Sequence, residues 1–223
     1  LKGKVEMADK KTPSLVVIGP ATLVLYHPIL TKTKYDSKTK KSVVSEDGSY
    51  NATFLIPQSD TATVEAVKAA YAKAAKEANS GVEFKDWSKK FQLGEKVIEK
   101  ALKKNPDKSA DRMDYMRGMW VLEAKSKFAP DLSKAVAGKA VEVPAETADR
   151  EFYSGCLTKA EINIVGSEIE QGENTARYLT AYVNFIVKVG EGTRLGRKSR
   201  DDVFKGALGG SSTADPTSGD EDF

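Results

Sequence analysis

Two runs decide the fold: LTKAEINIV at residues 157–165 and YLTAYVNFIVKV at residues 178–189. Both are rich in β-branched and aromatic residues and alternate in polarity with a period of two, as a strand with one buried face requires. In the second run Leu179, Ala181, Val183, Phe185 and Val187 form the expected core face. Tyr178, Thr180, Tyr182, Asn184, Ile186 and Lys188 form the opposite one. In the first run Ala160, Ile162 and Ile164 are set against Lys159, Glu161 and Asn163. The polar, glycine-containing stretch 166–177 between the runs predicts an antiparallel pair.

Upstream, SLVVIGPATLVLY at 14–26 reads as a strand broken by Gly19-Pro20, which calls for a bulge or an edge position. YNATFLI ends before Pro57, MWVLEAKSKF at 119–128 stops short of Pro130, and a shorter strand at 139–143 ends at Pro144. Residues 35–49, full of Lys, Ser, Asp and Gly, read as a long basic hairpin connection. One helix is predicted from a cap at Ser59 or Asp60 to Asn79-Ser80-Gly81, because Val64, Val67, Tyr71 and the alanines recur at helical spacing. A second is predicted at 95–104.

Five or six short strands without strand–helix alternation predict a mainly β (α+β) protein with inserted helices. The natural assembly is a small antiparallel barrel, and the five-stranded OB-fold is the barrel of this kind whose face binds oligonucleotides. Three units are expected: residues 1–13 as leader and flexible N-terminus, with Met7 the natural start; residues 14–200 as the barrel; and residues 201–223 as a disordered acidic C-terminal tail.

The chain has 223 residues and a net charge of +3, which conceals an asymmetry. From Asp201 onward six acids oppose Lys205, a net of −5, which leaves +8 on residues 1–200. A basic body attracts polyanions, and an acidic tail can compete for the same surface, recruit a basic partner or merely solubilise. One histidine (His27) and one cysteine (Cys156) exclude a disulfide within the chain and any Cys/His metal cluster. No apolar run approaches the length of a membrane span, and no phosphate loop or nucleophile elbow is present. Asp111 with Asp114, or Asp201 with Asp202, could in principle hold magnesium, but isolated acids among basic residues are ordinarily surface charge. No cofactor, metal site or catalytic residue is predicted.

The outward strand faces combine Lys125, Lys127, Lys159 and Lys188 with Tyr178 and Tyr182. A positive surface with π-faces is what sequence-tolerant single-strand binding requires, although exposed tyrosines can equally cover strand neighbours. Tyr35, Tyr50, Phe128, Phe152 and Tyr153 lie at strand ends or in basic connections, as stacking platforms or barrel plugs. Of these, Tyr35, Phe128 and Tyr153 are favoured as contacts. Trp87 and Phe91 are better suited to sealing the barrel against the helix.

The blocks WVLEAKSKFAPDL, EFYSGCLTKAEINIVG and YLTAYVNFIVKVGEGTRLG, with IGPATLVLYHP and YNATFLIPQSD before them, resemble the single-stranded DNA-binding proteins of tailed bacteriophages. The resemblance runs from about Met7 to Phe223 and departs from the family pattern at 82–114, where a lysine-rich stretch follows Trp87. It implies an OB-fold that coats single strands in phage DNA replication, recombination or repair, in the cytoplasm of the infected bacterium, and it allows self-association on DNA. By motif it carries contact roles to Lys125, Lys127, Phe128, Tyr153 and the strand beginning at Tyr178. The ending GDEDF is similar to acidic, aromatic-ended tails that dock phage or host replication proteins, with Phe223 as the anchor and Asp220, Glu221 and Asp222 steering it. The competing readings are a basic interaction module of the virion and a metal-dependent nuclease.

Overall fold

The computed structural model describes residues 14–39, 41–77, 91–106, 109–171 and 174–195, with backbone alone at 77, 167–171 and 174–178. The expected leader, the acidic tail and Trp87 lie outside the described residues.

Among the described residues ten strands are present: β1 (Ser14–Val24), β2 (Thr33–Asp36), β3 (Lys41–Val44), β4 (Tyr50–Pro57), β5 (Phe91–Leu93), β6 (Met119–Ser126), β7 (Asp131–Val136), β8 (Lys139–Glu142), β9 (Leu157–Gln171) and β10 (Asn174–Gly190). Three α-helices accompany them, α1 (Thr61–Glu77), α2 (Gly94–Lys104) and α3 (Ala145–Glu151), with a 3-10 helix at Ala110–Met116. Five strands close on themselves in the order β1-β4-β6-β10-β9 and back to β1. Every seam is antiparallel except β6–β10, which is parallel. This is the five-stranded OB-fold barrel. The polar stretch expected to separate the last two strands is instead strand backbone paired from Asn174↔Gln171 inward, so β9 and β10 extend as a long hairpin arm.

The barrel interior is apolar, with Ile18, Leu23, Phe54, Ile56, Leu122, Ile162 and Ile164 essentially inaccessible to solvent. Each such side chain contributes about 1.5–3 kcal/mol by leaving water. Helix α1 adds Val64, Val67, Tyr71 and Ala74 to the same core from one helical face. Its first turn is capped by Asp60, whose Oδ1 accepts from the Thr63 N–H at 3.1 Å. Phe91 stacks on Trp120 at 4.7 Å and on Tyr71 at 6.5 Å, which seals the barrel against α1.

Between β1 and β9 the register shifts between Ile18 and Ala21. Gly19 has φ +110° there, and a Cβ would lie 2.4 Å from the Thr158 carbonyl oxygen, so the site admits only glycine. Both expectations for Gly19-Pro20 hold locally: the bulge lies in the β9 seam, and pairing with β4 begins only at Thr22, so the dipeptide has no register partner on that side.

A second apolar cluster lies outside the barrel, where Ile98 of α2 and Met116 of the 3-10 helix cover Val24, Leu55 and Val121. Val121, which the two-residue period places on the same strand face as the outward Lys125, is therefore buried. The alternation in β10 also needs correction. A register shift between Val183 and Phe185 exchanges the faces, so Ile186 and Lys188 turn inward and Phe185 is 47% exposed.

Candidate nucleic-acid interface

Register pairing places five outward residues in one row around the barrel. Asn51 pairs with Lys125, Lys125 with Tyr182, Tyr182 with Asn163, and Asn163 with Leu15. Their neighbours Ala52, Ala124, Ala181, Val183, Ile162, Ile164 and Val16 are all buried, which fixes the row on the outer surface. Tyr182 and Lys125 meet at the parallel seam, with Leu15, 54% exposed, at the far end. Among the described residues, Asn163 Oδ1 is buried without a hydrogen-bond partner.

The β2–β3 hairpin flanks the row. It is tied down by the Asn51 side-chain amide, which donates to Thr33 Oγ1 at 2.9 Å, and by exchanged backbone bonds between Thr33 and Ser49. Tyr35 on β2 is exposed, with Lys104 Nζ 5.8 Å from its ring centre, and Lys32 Nζ stands 5.5 Å from the ring of Tyr50. Lys127 Nζ donates to the Asp47 carbonyl at 3.3 Å. Next to it Phe128 is 84% exposed, a large apolar ring with nothing packed on most of its surface. Tyr35, Tyr50, Lys125, Lys127, Phe128 and Tyr182 thus gather around β4, β6 and the hairpin.

The remaining expected contacts lie elsewhere. Lys159 is exposed on β9, and Tyr178 is placed only as a β10 position opposite Ser167. Lys188, expected on the open face, is buried by the β10 register shift and engaged by carboxylates: Glu191 at 2.5 Å and Glu151 at 3.5 Å. Glu151 also pairs with Lys134 at 2.7 Å. Tyr153 joins this cluster. Its hydroxyl donates to Glu191 and accepts the Gly192 N–H, while Arg194 lies 4.3 Å and Lys188 5.3 Å from its ring centre.

The cluster shifts its members as expected for mutual pairing. Hydrogen bonding to Lys134, with Lys188 nearby, holds the Glu151 carboxyl below its ordinary range, and Lys188 and then Tyr153 do the same for Glu191. Burial alone would lower the Lys188 ammonium, but Glu191 and Glu151 outweigh it and the net direction is upward. These bonds pin residues 191–195 against the end of α3, and they occupy Lys188 and Tyr153 within the protein.

A hollow of about 420 Å³ lies between the outer face of β4 and β6 and the segment after β1, with Tyr26, Tyr35, Asn51, Thr53 and Glu123 in its wall. Tyr26 is 70% exposed and was hidden in the sequence as the last residue of an apolar strand run. Asn51 was hidden in the same way inside YNATFLI. The outer face of strands two and three, flanked by the loops one–two and four–five, is the oligonucleotide-binding face of OB-folds. Here those parts are β4 and β6, the 25–49 segment with its hairpin, and the β9–β10 arm.

The family described as Enterobacter phage Enc34, ssDNA-binding protein, matches residues 34–215. The chain belongs to this family. Three solved structures share the fold. The single-stranded DNA-binding protein from bacteriophage Enc34, C-terminal truncation, is 19% identical with a TM-score of 0.56, over 82% of this chain and 89% of that one. The same phage protein without that qualification is 17% identical with a TM-score of 0.55, over 86% and 90%. Its complex with ssDNA is 19% identical with a TM-score of 0.53, over 85% and 100%. No curated protein matches the chain by sequence. Among the described residues no group of three or more potential ligands could hold a metal, and no helix is long and apolar enough to cross a membrane.

Proposed function

We propose that this protein is a non-catalytic, sequence-independent single-stranded DNA-binding protein that coats and protects exposed strands. The observation that carries the reading is the Asn51–Lys125–Tyr182–Asn163 row on the OB-fold's outer face, in a chain of the Enc34 family. A tyrosine beside a lysine offers a stacking plane and a phosphate partner at one step of a strand, and neither group reads base identity. Tyr35, Tyr50, Lys127 and Phe128 extend that surface toward the hairpin. Lys159 and Tyr178 would lengthen the path along β9 and β10. Lys188 and Tyr153 act in this reading as structural support.

Within an infected bacterium's cytoplasm, such a protein serves phage DNA replication, recombination or repair. The acidic tail, with Asp220, Glu221, Asp222 and Phe223 at its end, would compete with DNA for the basic body and dock replication proteins once displaced. Residues 14–200 form the binding domain in this division and 201–223 the tail.

The test is a fluorescence-anisotropy titration of labelled dT oligomers, a duplex and an RNA oligomer at two salt concentrations, with and without magnesium. Tighter binding to the single strand than to the duplex, with oligomers intact afterwards, supports the reading. Equal weak binding throughout, or magnesium-dependent loss of the oligomer, overturns it.

A further inference from the structure

We propose that the insertion formed by α2 and the 3-10 helix holds one unstacked nucleobase of the bound strand, a role that rests on the single-strand reading above. A hollow of about 480 Å³ lies between these helices and Tyr26. That is within the range of about 300–1,000 Å³ typical of small-molecule sites. Its apolar lining comes from Val97 and Ala101 on α2 and from Met113 and Met116 on the 3-10 helix. Tyr26 and Tyr115 supply two aromatic walls. Asn105, Ser109 and Arg112 complete the lining and are all exposed. The Ser109 hydroxyl also donates to Asp111 at 3.4 Å.

This lining matches a nucleobase. Its flat faces take apolar and aromatic contact, and its edge takes the amide of Asn105 and the hydroxyl of Ser109, while Arg112 meets the adjoining phosphate. The end of an apolar peptide would use the floor but not the polar edge. The position also fits. Tyr26 lines both this hollow and the one over β4 and β6, so a strand lying along the outer row reaches the insertion by passing a single ring. The last turn of α2 carries Lys103 and Lys104, and Lys104 reaches Tyr35 on the far flank. The insertion thereby lengthens the strand-binding face beyond the barrel.

The experiment uses the full chain and dT oligomers carrying 5-iodouracil, cross-linked by light and mapped by peptide mass, together with affinities of Ala101→Trp, which fills the hollow, and Arg112→Ala, which alters only its exposed rim. Adducts at Met113 or Tyr115, with an affinity loss of about tenfold for Ala101→Trp as one stacked base is forfeited, support the proposal. Arg112→Ala should lose several-fold and flatten the salt dependence, and it keeps the test alive if the tryptophan variant does not fold. Adducts confined to Tyr26, Tyr35, Tyr50 or Tyr182, with wild-type affinity in Arg112→Ala, overturn the base site while leaving the single-strand reading standing. Failure of the wild-type chain to bind the oligomer at all removes that reading itself.

Discussion

Tyr182 of β10 and Lys125 of β6 are register partners across the parallel seam that closes the barrel. The pairing joins a stacking surface to a cation at the place where two distant chain segments meet. Everything proposed about strand binding depends on this adjacency.

The two residues should fail in different ways. Tyr182→Ala removes a base-stacking plane worth about 1–3 kcal/mol, so affinity for dT oligomers falls while the slope of log K against log salt is unchanged. Lys125→Ala and Lys127→Ala each lower that slope by about 0.7 if each neutralises one phosphate. Titrations at four salt concentrations separate the two effects.

The carboxylate–lysine cluster should govern stability, not binding. Glu151 and Glu191 titrate below the ordinary carboxylate range in the folded chain. Their contribution is complete above the unfolded-state value, near 4, and is lost as pH falls through the lowered folded-state values. Lys188 is shifted upward, so its share is present below the ordinary lysine value and fades only as pH rises through the raised one. The double variant Glu151→Gln, Glu191→Gln leaves the Lys188 ammonium buried with weakened partners and should cost about 1 kcal/mol at pH 7. Thermal melts from pH 7 to pH 3 should show a shallower acid loss in the variant, with single-strand affinity unchanged at pH 7.

Gly155 should tolerate no side chain. It has φ +114°, and a Cβ would stand 1.9 Å from the Thr193 carbonyl oxygen. Gly155→Ala combines backbone strain of about 1–3 kcal/mol with displacement of residues 192–194, and chemical denaturation should show the loss directly.

Cys156 is a silent thiol in the native chain. It is fully buried, and burial pushes its pKa up, so the reactive thiolate is both scarce and covered. Labelling with a thiol reagent should proceed only as fast as the protein opens, and denaturant should bring the rate to that of a free cysteine.

Where burial sets the pattern, the sequence is readable. β9 alternates cleanly, and Val64, Val67 and Tyr71 mark α1, because each element packs one continuous face on the core. In β10 the reading fails after Val183, since a bulge needs no distinctive residue and reverses every face that follows. That one event turned Lys188 from an expected contact into a buried ion-pair partner. β7 and α3 were missed because DLSKAV and AETADRE are short, polar and half exposed, with too little periodicity to stand out. The strand pairing of 35–44 and 166–171 was missed for a related reason: these arms project from the barrel and need no apolar alternation. The hollow beside Tyr26 is assembled from three separated segments, and no local pattern announces such a convergence.

The most direct measurement is the affinity of the double variant Lys125→Ala, Tyr182→Ala for a labelled dT oligomer at low salt, beside the wild-type chain and with thermal melts of both. The account predicts matched melting temperatures and an affinity loss of about thirtyfold or more, from one stacked base and one phosphate contact together. Wild-type affinity in a fully folded double variant would contradict it and move the strand off the barrel seam.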